Sequence, residues 1–155
     1  MIGKKMCDLM NEQIKNELES YYIYLSMVAY FHSRNLDGMA HWMRCQAHEE
    51  MIHAMKFYDH IIDRGGTVEL LNLKQLKTKW KSPLEAWQDT LEHEKFITAK
   101  IHDLVNHASH QLYAAILLDL PTNESAWMVQ PLRVANTVVR LRTLSSGPLG
   151  AFAMG

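Results

Sequence analysis

Three stretches of this chain repeat their apolar residues at steps of three and four, and each of the three stripes is broken near its middle by an acid. The first runs Met10, Ile14, Glu17, Tyr21, Tyr24, Val28, Phe31. The second runs Met39, Met43, Gln46, Glu50, His53, Phe57, His60, and the third Leu84, Trp87, Leu91, Glu94, Ile97, Ile101, Val105, Ala108. Such steps follow one face of an α-helix. They predict helices over about 5–33, from the Asn35-Leu36-Asp37-Gly38 break to Gly65-Gly66, and from Ser82-Pro83 to about 108. Apolar stripes leave water only by packing on one another, which carries Glu17, Glu50, His53 and Glu94 inside. Burying an unpaired carboxylate costs several kcal/mol, so something must neutralise three of them.

The ends of these helices are marked by composition. Asp37 or Asn35 offers a cap to the second helix, and Gly65-Gly66 stops it. Ser82 offers a cap to the third, with Pro83 at the first helical position and Glu85 in the first turn. Between Gly65 and Ser82 there is no helical rhythm, over a span long enough to run the length of a bundle. The expected architecture is therefore all-α, a single domain over 1–155, with a helical hairpin followed by a long crossover.

Charge narrows the partners. Sixteen basic residues against 17 acidic give a net charge of -1. A protein gripping nucleic acid over a wide face needs a Lys/Arg excess, so no nucleic-acid partner is expected. The longest apolar runs, such as Ala114 to Leu118, fall well short of the ~20 residues that cross a bilayer, and the N-terminal residues have no apolar signal core. No membrane partner and a cytoplasmic location are expected. Cys7 and Cys45 make neither a disulfide framework nor a four-ligand zinc site and read as isolated thiols. The ten methionines fall mostly on apolar stripes, as gap fillers.

Three carboxylates and an imidazole at one height form a hard oxygen and nitrogen set suited to a pair of divalent iron or manganese ions. Glu50-Met51-Ile52-His53 has the Glu-x-x-His spacing, which stacks both ligand heads on one helix face. Tyr24 lies two turns from Glu17 on the same face. A stripe rotated by one residue would instead place Glu17 or Glu94 on a solvated face beside Glu12, Glu19 or Glu92, and His53 alone could be a hydrogen-bonded core histidine. The other histidines share no spacing that points to one site and read mostly as surface residues.

Glu17 with Tyr24, the run Gln46-Ala47-His48-Glu49-Glu50-Met51-Ile52-His53-Ala54, Arg64-Gly65-Gly66 and Glu92-His93-Glu94-Lys95-Phe96-Ile97-Thr98 resemble the corresponding segments of prokaryotic non-haem ferritins. The resemblance covers about residues 6–108. It implies a ferritin-like four-helix bundle with a long crossover between the second and third helices, a ferroxidase centre in each bundle, and a homo-oligomeric shell of 24 subunits storing ferric mineral. It further implies two iron ions per subunit, oxidised from Fe(II) by dioxygen: Glu17, Glu50 and His53 on the first, Glu50 bridging to a second held by Glu94, and Tyr24 a partner of a ligand. Glu49 matches a position that helps bind a third iron in some bacterial members. Activity is then expected to fall as His53 is protonated in mild acid. Two alternatives stand beside this reading. Met51 matches the haem-binding methionine of bacterioferritins, although their second Glu-x-x-His is missing, and the chain could be a non-catalytic helical bundle with a relic metal site.

The last third departs from the family. Residues 109–155 hold two acids, Asp119 and Glu124, three arginines and no lysine, where a ferritin fourth helix is rich in glutamate. Either the family's fourth helix is remodelled here or the segment is a shifted reading of a ferritin gene.

Overall fold

The computed structural model describes residues 2–107, which form three helices, α1 (Lys4–His32), α2 (Asp37–Asp63) and α3 (Pro83–His107), with no strand among the described residues. The fourth-helix region and tail, residues 109–155, and Ala108 of the third stripe lie outside the described residues. Each helix begins and ends within a residue or two of the position its stripe predicts.

The turn after α1 differs in detail from expectation. Asn35 takes the left-handed conformation at φ 56, and the Asn35 and Leu36 amides donate to the carbonyls of His32 and Phe31, both at 3.0 Å. Asparagine tolerates this conformation better than other side chains, so it closes α1 instead of capping α2. Nor does Asp37 cap α2. The residue before that helix is Leu36, with no side-chain cap, and Asp37 is the first helical residue, its Oδ1 lying 2.9 Å from His32 Nδ1. At the far end of α2, Gly65 has φ 67, and the Gly65 and Gly66 amides donate to Ile62 and Ile61 at 2.9 and 2.8 Å. At the start of α3, Ser82 Oγ accepts the Glu85 amide at 3.2 Å while the Glu85 carboxyl reaches back to the Lys81 amide at 2.6 Å, so one helix-start donor and the amide just before the cap are satisfied together.

The crossover from Arg64 to Ser82 is laid along α1. Asn11 binds both sides of its beginning, donating to the Thr67 carbonyl at 3.0 Å and accepting the Glu69 amide at 3.0 Å. Further along, Glu19 accepts the Lys74 amide at 3.0 Å, and Trp80 packs on Tyr30 with ring centroids 5.5 Å apart. The connection thus advances beside α1 from Asn11 to Tyr30 and returns the chain to the end where α2 began. There Trp87, early in α3, meets Phe31 and Trp42. Consequently α3 runs parallel to α2 and antiparallel to α1, and the latter two form a hairpin across a short turn.

The core divides into two apolar clusters, one at each end. Tyr24, Met27, Val28, Phe31, Met43, Trp80 and Trp87 are prominent in one; Cys7, Met10, Ile14, Phe57, Ile61 and Leu104 form the other. Between them lies a polar layer containing Gln13, Asn16, Glu17, Ser20, Gln46, Glu50, Thr90 and Glu94, all buried. On α3 the buried face takes in Ala86, Thr90 and Leu104 beside the predicted Trp87, Glu94 and Ile97, because the helix turns toward α1 over a wider arc than one stripe.

Candidate metal centre

The polar layer is built from the acids that interrupt the stripes. Glu17 is fully buried, Glu50 is 4% exposed and Glu94 8%. Glu17, Glu50 and His53 each offer one ligand atom, and these atoms all lie within 4.8 Å of one another. His53 Nδ1 lies 3.4 Å from Glu50 Oε2, one turn away on α2. From the opposite side, α3 brings Glu94, whose Oε1 accepts a short hydrogen bond from the Tyr24 hydroxyl. The structure thus brings together Glu17, Glu50 and His53 on one side and pairs Tyr24 with Glu94 on the other. Glu49 is half-buried and its Oε2 accepts from Gln46 Nε2 at 3.1 Å.

Oriented donors hold these carboxyl groups. Asn16 donates to Gln13 Oε1 at 3.3 Å, and Gln13 Nε2 donates to Glu17 Oε1 at 2.7 Å. The second Glu17 oxygen is buried with no donor among the described residues. Nor does any lysine or arginine among the described residues pair with Glu17, Glu50 or Glu94; the ion pairs of Lys4, Lys15 and Lys77 are all elsewhere. Once Glu17 is ionised, an oxygen left without a donor in a dry interior is costly, and a cation removes the cost by neutralising and coordinating at once.

The titration behaviour follows from burial. Loss of water drives the Glu17 carboxyl well above its ordinary range, helped by the neighbouring Glu50. Burial, then the charge of Glu94, pushes Glu50 to about 8, and burial pushes Glu94 to about 6 against the Tyr24 hydrogen bond that opposes it. His53 moves the other way, because burial disfavours its cation. In the absence of metal Glu17 and Glu50, not His53, are therefore the groups that hold protons near neutrality. The expected acid sensitivity shifts accordingly from the imidazole to competition between protons and metal at the carboxyl groups.

Several neighbours were not singled out by spacing. His93, expected at the surface with most histidines, is half-buried: its Nε2 lies 2.7 Å from Ser20 Oγ, its ring stands edge-on to Tyr24 with centroids 5.9 Å apart, and burial lowers its value to about 4. Gln13 stands four residues before Glu17, the spacing that Gln46 on the second stripe has to Glu50, and that spacing is the signal that could have found it. Of the acids that a rotated stripe would have exchanged for the buried ones, Glu12 and Glu92 are exposed, while Glu19 is buried against the crossover.

Residues 7–119 match the family described as the ferritin-like domain. The bacterial non-heme ferritin of Bacteroides fragilis is 39% identical over 109 residues, which are 70% of this chain and 69% of that one. The bacterial non-heme ferritin of Campylobacter jejuni is 36% identical over 115 residues, 74% of this chain and 69% of that one. Among solved structures, an open pore ferritin from the hyperthermophilic archaeon Archaeoglobus fulgidus is similar with a TM-score of 0.84 at 36% identity, covering 94% of this chain and 90% of that one. Chlorobium tepidum ferritin has a TM-score of 0.85 at 26% identity, covering 98% and 93%.

Proposed function

Because this chain belongs to the ferritin family, we propose that it stores iron and is a ferroxidase, oxidising Fe(II) with dioxygen at a di-iron centre and keeping the ferric product in a multimeric shell. One observation carries the reading: Glu17, Glu50 and His53 bring ligand atoms within 4.8 Å of one another in a buried layer that also holds Glu94, and among the described residues no lysine or arginine pairs with these carboxyl groups and one Glu17 oxygen has no donor. Iron is the substrate here and its oxidised form the cargo.

In this reading Glu17, Glu50 and His53 bind the first ferrous ion, and Glu50 shares its carboxylate with a second held by Glu94. Two ferrous ions give one electron each to one dioxygen, and a bridging carboxylate suits this by holding two cations close while cancelling part of their repulsion. Gln13 and Tyr24 each occupy one oxygen of a ligand, fixing its orientation and leaving the other for metal. Tyr24 thus acts as a positioning residue. Glu49, half-buried on α2, is the candidate ligand of a third iron. The shell is proposed as a 24-mer and its location as the cytoplasm. The curated relatives described above are non-heme proteins, which favours this reading over a haem-containing bacterioferritin.

The test is anaerobic Fe(II) titration followed by oxygen exposure, with particle size measured by light scattering. About two ferrous ions bound per chain, rapid oxygen consumption and a half-megadalton particle are the expected results. Glu50→Ala should abolish saturable binding while the protein keeps its helical spectrum. No saturable binding by the natural chain would leave the relic-site reading.

A further inference from the structure

A second group of metal-ligating side chains lies on α2, on the side away from the carboxyl groups. His41, Cys45 and His48 are all exposed and stand at i, i+4 and i+7. At about 100° per residue these three positions fall within an arc of about 60°, roughly opposite the arc that carries Glu50 and His53. Cys45 is a free thiol, and its Sγ lies 3.8 Å from His41 Nε2. A sulfur and a nitrogen sharing one tetrahedral zinc ion, with bonds of about 2.3 and 2.0–2.1 Å, must stand about 3.6 Å apart. The observed pair is within about 0.2 Å of that separation without any rearrangement. His48 follows Cys45 by three residues on the same exposed arc and must turn toward the pair to join it.

The chemistry of this set differs from that of the inner one. A thiolate with two neutral imidazoles is a soft to borderline donor set, which favours a d10 ion over the hard, oxygen-seeking ferrous ion. We propose that His41, Cys45 and His48 form a second metal site on the exposed face of α2 that takes Zn(II), with water completing a four-coordinate shell. Binding forms a zinc–sulfur bond and releases the thiol proton to solvent, with no change of oxidation state. The site is separate from the proposed iron centre and does not rest on it.

Cobalt(II) substitutes for zinc as a probe, because a cobalt–thiolate bond gives a near-ultraviolet charge-transfer band that carboxylate and imidazole ligands cannot give. Addition of Co(II) to the full-length, reduced protein should produce this band, and Zn(II) should remove it by displacement. Cys45→Ser should abolish the band while leaving Fe(II) oxidation unchanged. His41→Ala and His48→Ala should each weaken Co(II) binding by about tenfold or more, and Glu50→Gln should leave the band intact. Absence of the band from the natural chain, its persistence in Cys45→Ser, or unchanged affinity in either histidine variant would overturn the proposal.

Discussion

A carboxyl group can be a good metal ligand only if it is held, and the hydrogen bonds around Glu17 and Glu94 hold each by one oxygen. Tyr24 supplies the bond to Glu94 from a fully buried hydroxyl. Tyr24→Phe is expected to slow iron oxidation by about tenfold or more, while removal of one buried hydrogen bond costs about 1–2 kcal/mol of stability; stopped-flow kinetics beside thermal unfolding separates the two effects. Proton inventory offers a second check at this scale. With Glu50 titrating near 8, its carboxyl is mostly protonated at pH 7, so a divalent ion must displace that proton. Calorimetry of anaerobic Fe(II) binding in buffers of different ionisation enthalpy should show release of about one proton or more per chain; a heat independent of buffer would contradict it. Glu17, Glu50 and Glu94 are legible in the sequence because an acid on an apolar stripe has no structural excuse. His93 and Glu19 are not, since their partners, Ser20 and the Lys74 amide, are remote in sequence and no local pattern encodes them.

Helix boundaries are legible where one residue type carries the physics. Gly65 and Gly66 both stop α2, but for different reasons. At Gly65 the left-handed φ of 67 disfavours a side chain, and Gly65→Ala should cost about 1–2 kcal/mol. At Gly66 a Cβ would lie 2.7 Å from Ile2 Cγ2, 2.9 Å from Ile61 Cγ2 and 3.1 Å from Cys7 Sγ. Gly66→Ala should therefore displace the start of the chain from α2 at a cost of about 1–3 kcal/mol, and denaturant unfolding of the two variants measures both. The turn before α2 was harder to read, because Asn35 and Asp37 both carry capping chemistry and only the backbone conformation decides between them. The path of the crossover was harder still, since its contacts with Asn11, Glu19 and Tyr30 depend on how the packed helices are arranged.

Across the whole molecule, two apolar ends enclose a layer that resists ionisation. The buried carboxyl groups keep protons in the fold that they lose in the unfolded chain near 4.5, so their contribution to stability falls as pH rises toward their folded values. His53 and His93, whose folded values are lowered, act oppositely, adding stability as pH rises to about 6.5 and nothing further above it. Metal-free protein is accordingly expected to melt at falling temperature as pH rises from about 6.5 to about 8.5, and a saturating divalent ion should flatten that slope; a melting temperature that rises over this window would refute it. The crossover has a separate consequence, for the order of events in folding. Contacts between α1 and α2 close a short loop, whereas α3 can dock only after the 19 residues from Arg64 to Ser82 have found their places along α1. Trp80, near the end of that path, is then a late contact: its truncation should speed unfolding far more than it slows refolding, and the chain commits to its hairpin before it commits to its third helix.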